Sequence, residues 1–308
     1  DYQTALQKWR PLAEQGDALG QFYLGVMYAD GKDVLQDYAE AVKWYRLAAE
    51  QGNADAQYNL GTIYSNGQGV PQDYPEALKW HQLAAEQGYD YAQHNLGVMY
   101  EKGQGVSQDY AEALKWYQLA ADQGVAMAQN NLGVMYGYGQ GVPQDYIEAE
   151  TLIRLAAEQG NATAQNGMGV IYKKGQGLPR DDAEAVKWWK LSADQGYAFA
   201  QAYLGDSYRK GEGVSQDFTE ASKWYSLAAE QGVSFAQINL GIRYYNGEGI
   251  TQSIQMAYMW FAIASTNGLE QAGEYRDNLS AIMSQADISK ARELARECMS
   301  SNYQNCGY

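Results

Sequence analysis

A glycine recurs at positions 16, 52, 88, 124, 160, 196, 232 and 268 of the 308-residue chain, each 36 residues after the last with no insertion anywhere. A spacing this regular restricts the chain to tandem structural repeats, in which each unit buries its apolar face only against its neighbours. A second series, Gly25, Gly61, Gly97, Gly133, Gly169, Gly205 and Gly241, follows Leu or Met in the same register. One globular body of this length would sit near the size at which single cores stop growing, so an extended array is the reading that the period demands.

One repeat can be read from Gly52. Between Asn53 and about Asn66, Gln57, Leu60 and Tyr64 recur at spacings of three and four, which places them on one face of a helix, A. The run GQGVPQ breaks that pattern, and Asp73 opens a second helix, B, with Ala77, Trp80, Leu83 and Ala84 at helical spacing. Asp73 and Glu76 form a capping box, the aspartate accepting from first-turn amides and the glutamate reaching back. The same pair stands at Asp37/Glu40, Asp109/Glu112, Asp145/Glu148, Asp181/Glu184 and Asp217/Glu220. The glycine that follows helix B supplies the left-handed residue of a C-terminal stop. Alanine pairs such as Ala48-Ala49, with the small Gly61 position of helix A, let two short helices close into a hairpin. Trp44, Trp80, Trp116, Trp188, Trp224 and Trp260 share one position of helix B and are expected to fill the space between hairpins, at roughly 2 to 3 kcal/mol each.

The ends follow from the same register. Ala5 matches Ala41 and Ala77, so Asp1 falls at a helix B cap and residues 1–16 read as an orphan B helix that Pro11 should kink or shorten. Seven repeats then occupy 17–52, 53–88, 89–124, 125–160, 161–196, 197–232 and 233–268. Residues 269–308 form a helical cap with a polar outer face. Because the chain starts at Asp1 rather than methionine, an upstream segment, a signal peptide among the alternatives, is expected to have been removed. Cys298 and Cys306 are too few for a disulfide framework or a four-cysteine zinc site, and a single bridge between them is one outcome in an oxidising compartment.

The signature A-x-A-Q-x-x-L-G-x-x-Y-x-x-G-x-G-V-x-x-D-x-x-E-A-x-x-W-x-x-x-A-A-E-x-G, carried nearly whole by residues 54–88, resembles the Sel1-like repeat, a relative of the tetratricopeptide repeat. The resemblance runs from Asp1 to Gly268. It implies an all-α, right-handed α/α superhelical solenoid of helix-turn-helix repeats whose A helices line a concave surface, and an adaptor rather than an enzyme. It also implies a bacterial chain that is periplasmic or secreted, with the cytoplasm as the alternative, and a role in envelope function, signalling or host contact, virulence included. Departures are visible. Copy four reads Thr151-Leu152-Ile153 where others read Lys-Trp-aromatic, which thins its core, and copy one has Asp33 in place of the second loop glycine. Members stapled by a disulfide in each repeat are known, and this chain lacks those cysteines.

Chemistry is sparse within this frame. Gly67-Gln68-Gly69 follows a helix rather than a strand and is not followed by Lys-Ser/Thr, so it is a hairpin turn with Val70 tucked inward, not a phosphate cradle. His81 stands in an aromatic slot shared with Tyr45, Tyr117, Trp189, Tyr225 and Phe261; His94 stands at a variable position. Neither lies in a metal-binding or nucleophile-elbow motif, the recurring carboxylates are caps, and no cofactor is expected. With 37 acidic against 22 basic residues, the net charge of −15 disfavours nucleic acid, and no apolar run is long enough to span a bilayer. The partner expected is another protein or a peptide segment of one; the alternative is a glycan or peptidoglycan fragment, with or without weak hydrolysis.

Candidate contact residues are those that vary inside the frame. Asn59, Asn95, Asn131 and Asn239, with Tyr23 and Tyr203 at the same position, form a ladder whose carboxamides can read a peptide backbone or bond a neighbouring repeat. Lys173, Lys174, Arg209 and Lys210 gather at A-helix ends, where they answer the helix dipole or dock an acidic or carboxylate-ended segment.

Overall fold

The computed structural model describes residues 2–31, 34–304 and 306, with side chains from residue 7 onward. Among the described residues there are seventeen α-helices and no strand. The chain divides into two compact units, Asp1–Leu152 and Ile153–Tyr308. The division falls inside the Thr151-Leu152-Ile153 stretch that departs from the repeat pattern.

The first unit holds α1 (Tyr2–Glu14), α2 (Ala18–Asp30), α3 (Tyr38–Glu50), α4 (Ala54–Asn66), α5 (Tyr74–Glu86), α6 (Asp90–Lys102), α7 (Tyr110–Asp122), α8 (Ala126–Tyr138) and the first part of α9 (Tyr146–Glu158). The second holds the end of α9 and then α10 (Ala162–Lys174), α11 (Asp182–Asp194), α12 (Ala198–Lys210), α13 (Phe218–Ala229), α14 (Ser234–Asn246), α15 (Ile254–Thr266), α16 (Glu270–Ser280) and α17 (Gln285–Ser300). Even-numbered helices from α2 to α14 are A helices and odd-numbered ones from α3 to α15 are B helices. Within each unit an A helix packs on the B helix before it and the B helix after it.

Chemistry local to the chain sets the helix ends. Asp37, Asp109, Asp181 and Asp217 each accept from two first-turn amides, and Asp73 accepts from the Glu76 amide. The box glutamates turn forward rather than back: Glu40, Glu112, Glu184 and Glu220 pair with a lysine three residues on, and Glu76 Oε1 accepts from Trp80 Nε1 at 2.8 Å. Gly67 closes α4 in the left-handed conformation at φ 67°. Gly69 has a second reason to be glycine, because a Cβ there would lie 2.4 Å from Tyr38 Cβ at the start of α3. Val70 packs, half-buried, against the cluster of Ala41, Tyr45 and Leu60. Asp1 and Asp33 lie outside the described residues.

In five of the repeats the deepest B-helix aromatic is not the tryptophan of the expected series, Trp260 being the exception. Trp80, Trp224 and Trp260 are buried, but Trp44, Trp116 and Trp188 are only half-buried. The next residue is buried wherever it is aromatic, as at Tyr45, His81, Tyr117, Trp189, Tyr225 and Phe261, and its ring lies on the A-helix glycine. A Cβ at Gly97 would sit 2.4 Å from Tyr117 Cδ1, and one at Gly61 would sit 2.9 Å from the His81 ring. The glycine thus makes room for the ring, and the tryptophan, turned one residue around the helix, lies partly outward at Trp44, Trp116 and Trp188.

The ends also differ from expectation. α1 runs through Pro11 to Glu14. Its last turn is held from outside, for Ala13 is buried and Gly20 of α2 approaches so closely that a Cβ would lie 2.8 Å from the Ala13 nitrogen. At the other end α17 packs Ile288, Ala291, Ala295 and Cys298 inward and keeps its charged residues outside. Cys298 and Cys306 form a disulfide, and the loop it closes carries Tyr303, whose phenol accepts from Asn267 at 3.0 Å.

Two outcomes follow. Gly97→Ala should destabilise the protein by about 1 to 3 kcal/mol through overpacking against Tyr117, read from urea unfolding. Burial lowers His81 to about 4, so its neutral form contributes stability that is whole above the unfolded pKa of about 6.5 and is lost as pH falls toward 4. The His81→Tyr variant should lose less stability than wild type between pH 7 and pH 4, by about 2 to 3 kcal/mol; equal losses would remove His81 as the cause.

Candidate functional site

The face of the A helices that the frame leaves outside is built from two positions one helical turn apart. The first carries Tyr23, Asn59, Asn95, Asn131, Gly167, Tyr203 and Asn239; the second, four residues earlier, carries Leu19, Asp55, Tyr91, Met127, Thr163, Phe199 and Phe235. Leu19, Tyr91, Met127, Phe199 and Phe235 are all exposed, each at 44 to 55 %. The sequence reading missed this second row. Its signal was available, because a helix position outside the core stripe is expected to be polar, and here five of seven copies are large and apolar.

In the first unit the asparagines are engaged with the protein itself. Asn59 bonds the Tyr45 phenol. Asn95 Oδ1 lies 3.3 Å from His94 Nδ1 on the same helix, and Asn131 Nδ2, one repeat on, lies 3.4 Å from His94 Nε2. Asn131 also bonds the Tyr117 phenol, which donates to Glu101 Oε2 at 2.5 Å. Asn131 therefore links two repeats, while each carboxamide retains capacity for further bonds. Burial pushes His94 below the ordinary imidazole value, more than Asn95 and Glu101 raise it. The ring at this site is neutral at pH 7. Tyr23, 38 % exposed, stacks on Trp9 with centroids 4.4 Å apart.

In the second unit Asn239 donates to its own helix, to the Phe235 carbonyl at 2.8 Å. Tyr203 stacks on Trp189 at 5.1 Å. Lys173 reaches Glu212 at 2.5 Å and Asp182 at 3.2 Å, and Asp206 takes Arg209 at 2.5 Å and Lys210 at 2.7 Å. Burial alone would raise Asp206, yet Lys210 and Arg209 hold it below the usual carboxylate range. Three of the four cations are thus matched by acids on the same surface. Lys174 alone among them has no acidic partner among the described residues.

No group of three or more His, Cys, Asp or Glu side chains is placed to hold a metal ion among the described residues. Likewise, none of their helices is long and apolar enough to cross a membrane.

The Sel1 repeat family matches this chain seven times, at residues 18–53, 54–89, 90–125, 126–161, 162–197, 198–233 and 234–269. Among crystal structures, a Sel1 repeat protein from Oxalobacter formigenes is 35 % identical over 90 % of this chain and 80 % of its own, with a TM-score of 0.74. A protective antigen present in uropathogenic Escherichia coli strains, with an SLR fold, is 29 % identical over 98 % of this chain and 89 % of its own, at a TM-score of 0.49. Yeast Tom70 shares the fold alone, at 15 % identity over 95 % of this chain and 60 % of its own and a TM-score of 0.50. No curated protein matches the chain.

The His94 network gives a direct check. Asn131→Asp places a carboxylate beside the imidazole and should raise the His94 pKa by about one unit or more, followed as its proton chemical shift against pH; an unchanged titration would show that Asn131 does not contact the ring.

Proposed function

We propose, from the premise that this chain belongs to the Sel1 repeat family, that it is a non-catalytic scaffold holding a protein, or an extended segment of one, against the outer faces of its A helices. Repeat arrays of this kind generally mediate protein–protein interaction through the extended surface their stacking creates. One observation carries the reading to a particular face: large apolar side chains stand exposed at the same A-helix position in five copies. A leucine row on the B helices, Leu47, Leu83, Leu119, Leu155, Leu191 and Leu227, is exposed to a similar degree, so what sets the A-helix row apart is its aromatic rings, Tyr91, Phe199 and Phe235. A recurrent row of exposed aromatics and aliphatics is what a binding surface offers, because rigid rings contribute contact area at small entropic cost.

The asparagines beside this row supply donors and acceptors without charge, suited to an extended backbone. In this reading the chain acts in the envelope or outside the cell, and its excess of acidic residues favours a partner with a basic surface.

A photoreactive residue placed at Tyr91 or Phe199 should cross-link a partner from the source organism's extract several-fold more than one placed at Lys115 or Lys187, which are exposed on B helices. Equal or reversed yields would sink the assignment of the A-helix face.

A further inference from the structure

Two cavities of the second unit share one wall. The smaller, ≈ 160 Å³, lies between α10 and α12 and is lined by Lys173, Lys174, Trp189, Tyr203, Asp206 and Glu212 among others. The larger, ≈ 480 Å³, lies between α12 and α14 over Phe199, Tyr203, Val233 and Phe235. Tyr203 lines both, and its stacking on the buried Trp189 ring holds it in place as the partition.

The two compartments differ in chemistry. Both carboxylates of the smaller one are already engaged, Asp206 by Arg209 and Lys210 and Glu212 by Lys173. Lys174 has no acidic partner among the described residues, so the unbalanced charge facing this cavity is positive, in a chain whose net charge is −15. A cavity of about this volume can hold a benzene ring, so the unpaired ammonium at its wall, rather than its size, suits it to a carboxylate. The larger cavity is walled by rings and aliphatic carbon, with Phe199 and Phe235 exposed at its mouth.

We propose that the pair of cavities takes the C-terminal residue of a partner polypeptide, with its α-carboxylate against Lys174 and its large apolar side chain between Phe199, Tyr203 and Phe235. A terminal residue presents a carboxylate and a side chain from one Cα, on either side of a partition one ring thick; a residue inside a chain has no such carboxylate. Charge selects the carboxylate end, since an amino terminus would meet the unpaired Lys174 as a like charge. This inference rests on the scaffold reading above and names the part of the partner that reading leaves open.

The test uses a fluorescein-labelled Gly-Ser-Gly-Phe peptide as free acid, the same peptide as C-terminal amide, and a free acid ending in alanine, titrated into the full chain by fluorescence anisotropy. The phenylalanine acid should bind saturably, with the amide and the alanine acid each weaker by about tenfold or more. Lys174→Glu should weaken the acid by a similar factor and leave the amide unchanged, whereas Phe235→Ser should remove the preference for phenylalanine over alanine. Both residues are solvent-facing, and circular dichroism checks that the variants remain folded. Equal binding of acid and amide, or no saturable binding of the acid up to millimolar protein, would overturn the proposal. If cross-linking at Phe199 persists while the peptides fail, this inference alone falls; if both fail, the scaffold reading falls with it.

Discussion

Each repeat is joined to the next by a buried carboxamide. In the first unit Gln21, Gln57 and Gln93 of the A helices donate to the carbonyls of Ala13, Ala49 and Ala85, at the end of the helix before, and accept from Gln51, Gln87 and Gln123 at the end of the helix after. In the second unit Gln165, Gln201 and Gln237 do the same with Ala157, Ala193 and Ala229, and with Gln195, Gln231 and Asn267. Each of these alanine carbonyls also accepts from the N–H of the glycine three residues on, so the carboxamide adds a second bond there while pairing its own buried polar atoms, which would cost about 1 to 3 kcal/mol if left unpaired. One side chain thus satisfies a helix end of its predecessor while being satisfied by its successor. Gln36, Gln72, Gln108, Gln144, Gln216 and Gln252 in the loops serve A-helix ends, each donating to a carbonyl seven residues back. Short helices of thirteen residues, marginal alone, are stable here because their ends are closed by other parts of the array.

Interior and outer face of the A helix are therefore occupied by different chemistry. Glutamine, leucine and glycine turn inward and are spent on the stack. Two residues away the chain is free to vary, and there the exposed aromatic row, the asparagines and Lys174 are found. Where variation enters the frame itself, at Thr151-Leu152-Ile153, the chain divides into its two compact units. The net charge of −15 leaves many acidic groups unmatched, and the exposed ion pairs that do form contribute little stability.

Much of the fold was legible because its causes are local. A glycine at φ near +90° or +67° and an aspartate accepting first-turn amides announce themselves at fixed offsets, so the helices and their caps could be placed from Gly52, Gly67 and Asp73 alone. What was not legible depends on partners distant in sequence. The recurrence of Gln57 at the same place in every copy marked it as frame, but its bonds run 8 residues back and 30 forward. The choice between Trp80 and His81 as the ring on Gly61 turns on a rotation of one residue around helix B. Pro11 remains helical because α2 holds Ala13, and the acids that answer Lys173 come from α11 and the loop after α12. The asparagine ladder was seen as a row, yet the reach of Asn131 to His94 requires the stacking of α8 beside α6. The exposed row at Tyr91 and Phe235 was visible in the sequence and went unread, because apolar residues in a helix are ordinarily assigned to its core.

The central claim is that the frame and the face of the A helix are separate in energy, and α6 contains both, two residues apart. The measurement is urea unfolding of Gln93→Met, which keeps the size of the side chain but removes its bonds to the Ala85 carbonyl and the Gln123 amide, each of which keeps one partner at Gly88, beside Tyr91→Ser, which removes an exposed ring. The account predicts a loss of about 1 to 3 kcal/mol for Gln93→Met, the net worth of two hydrogen bonds, and less than about 1 kcal/mol for Tyr91→Ser. Losses of equal size, or a larger loss from Tyr91→Ser, would contradict it.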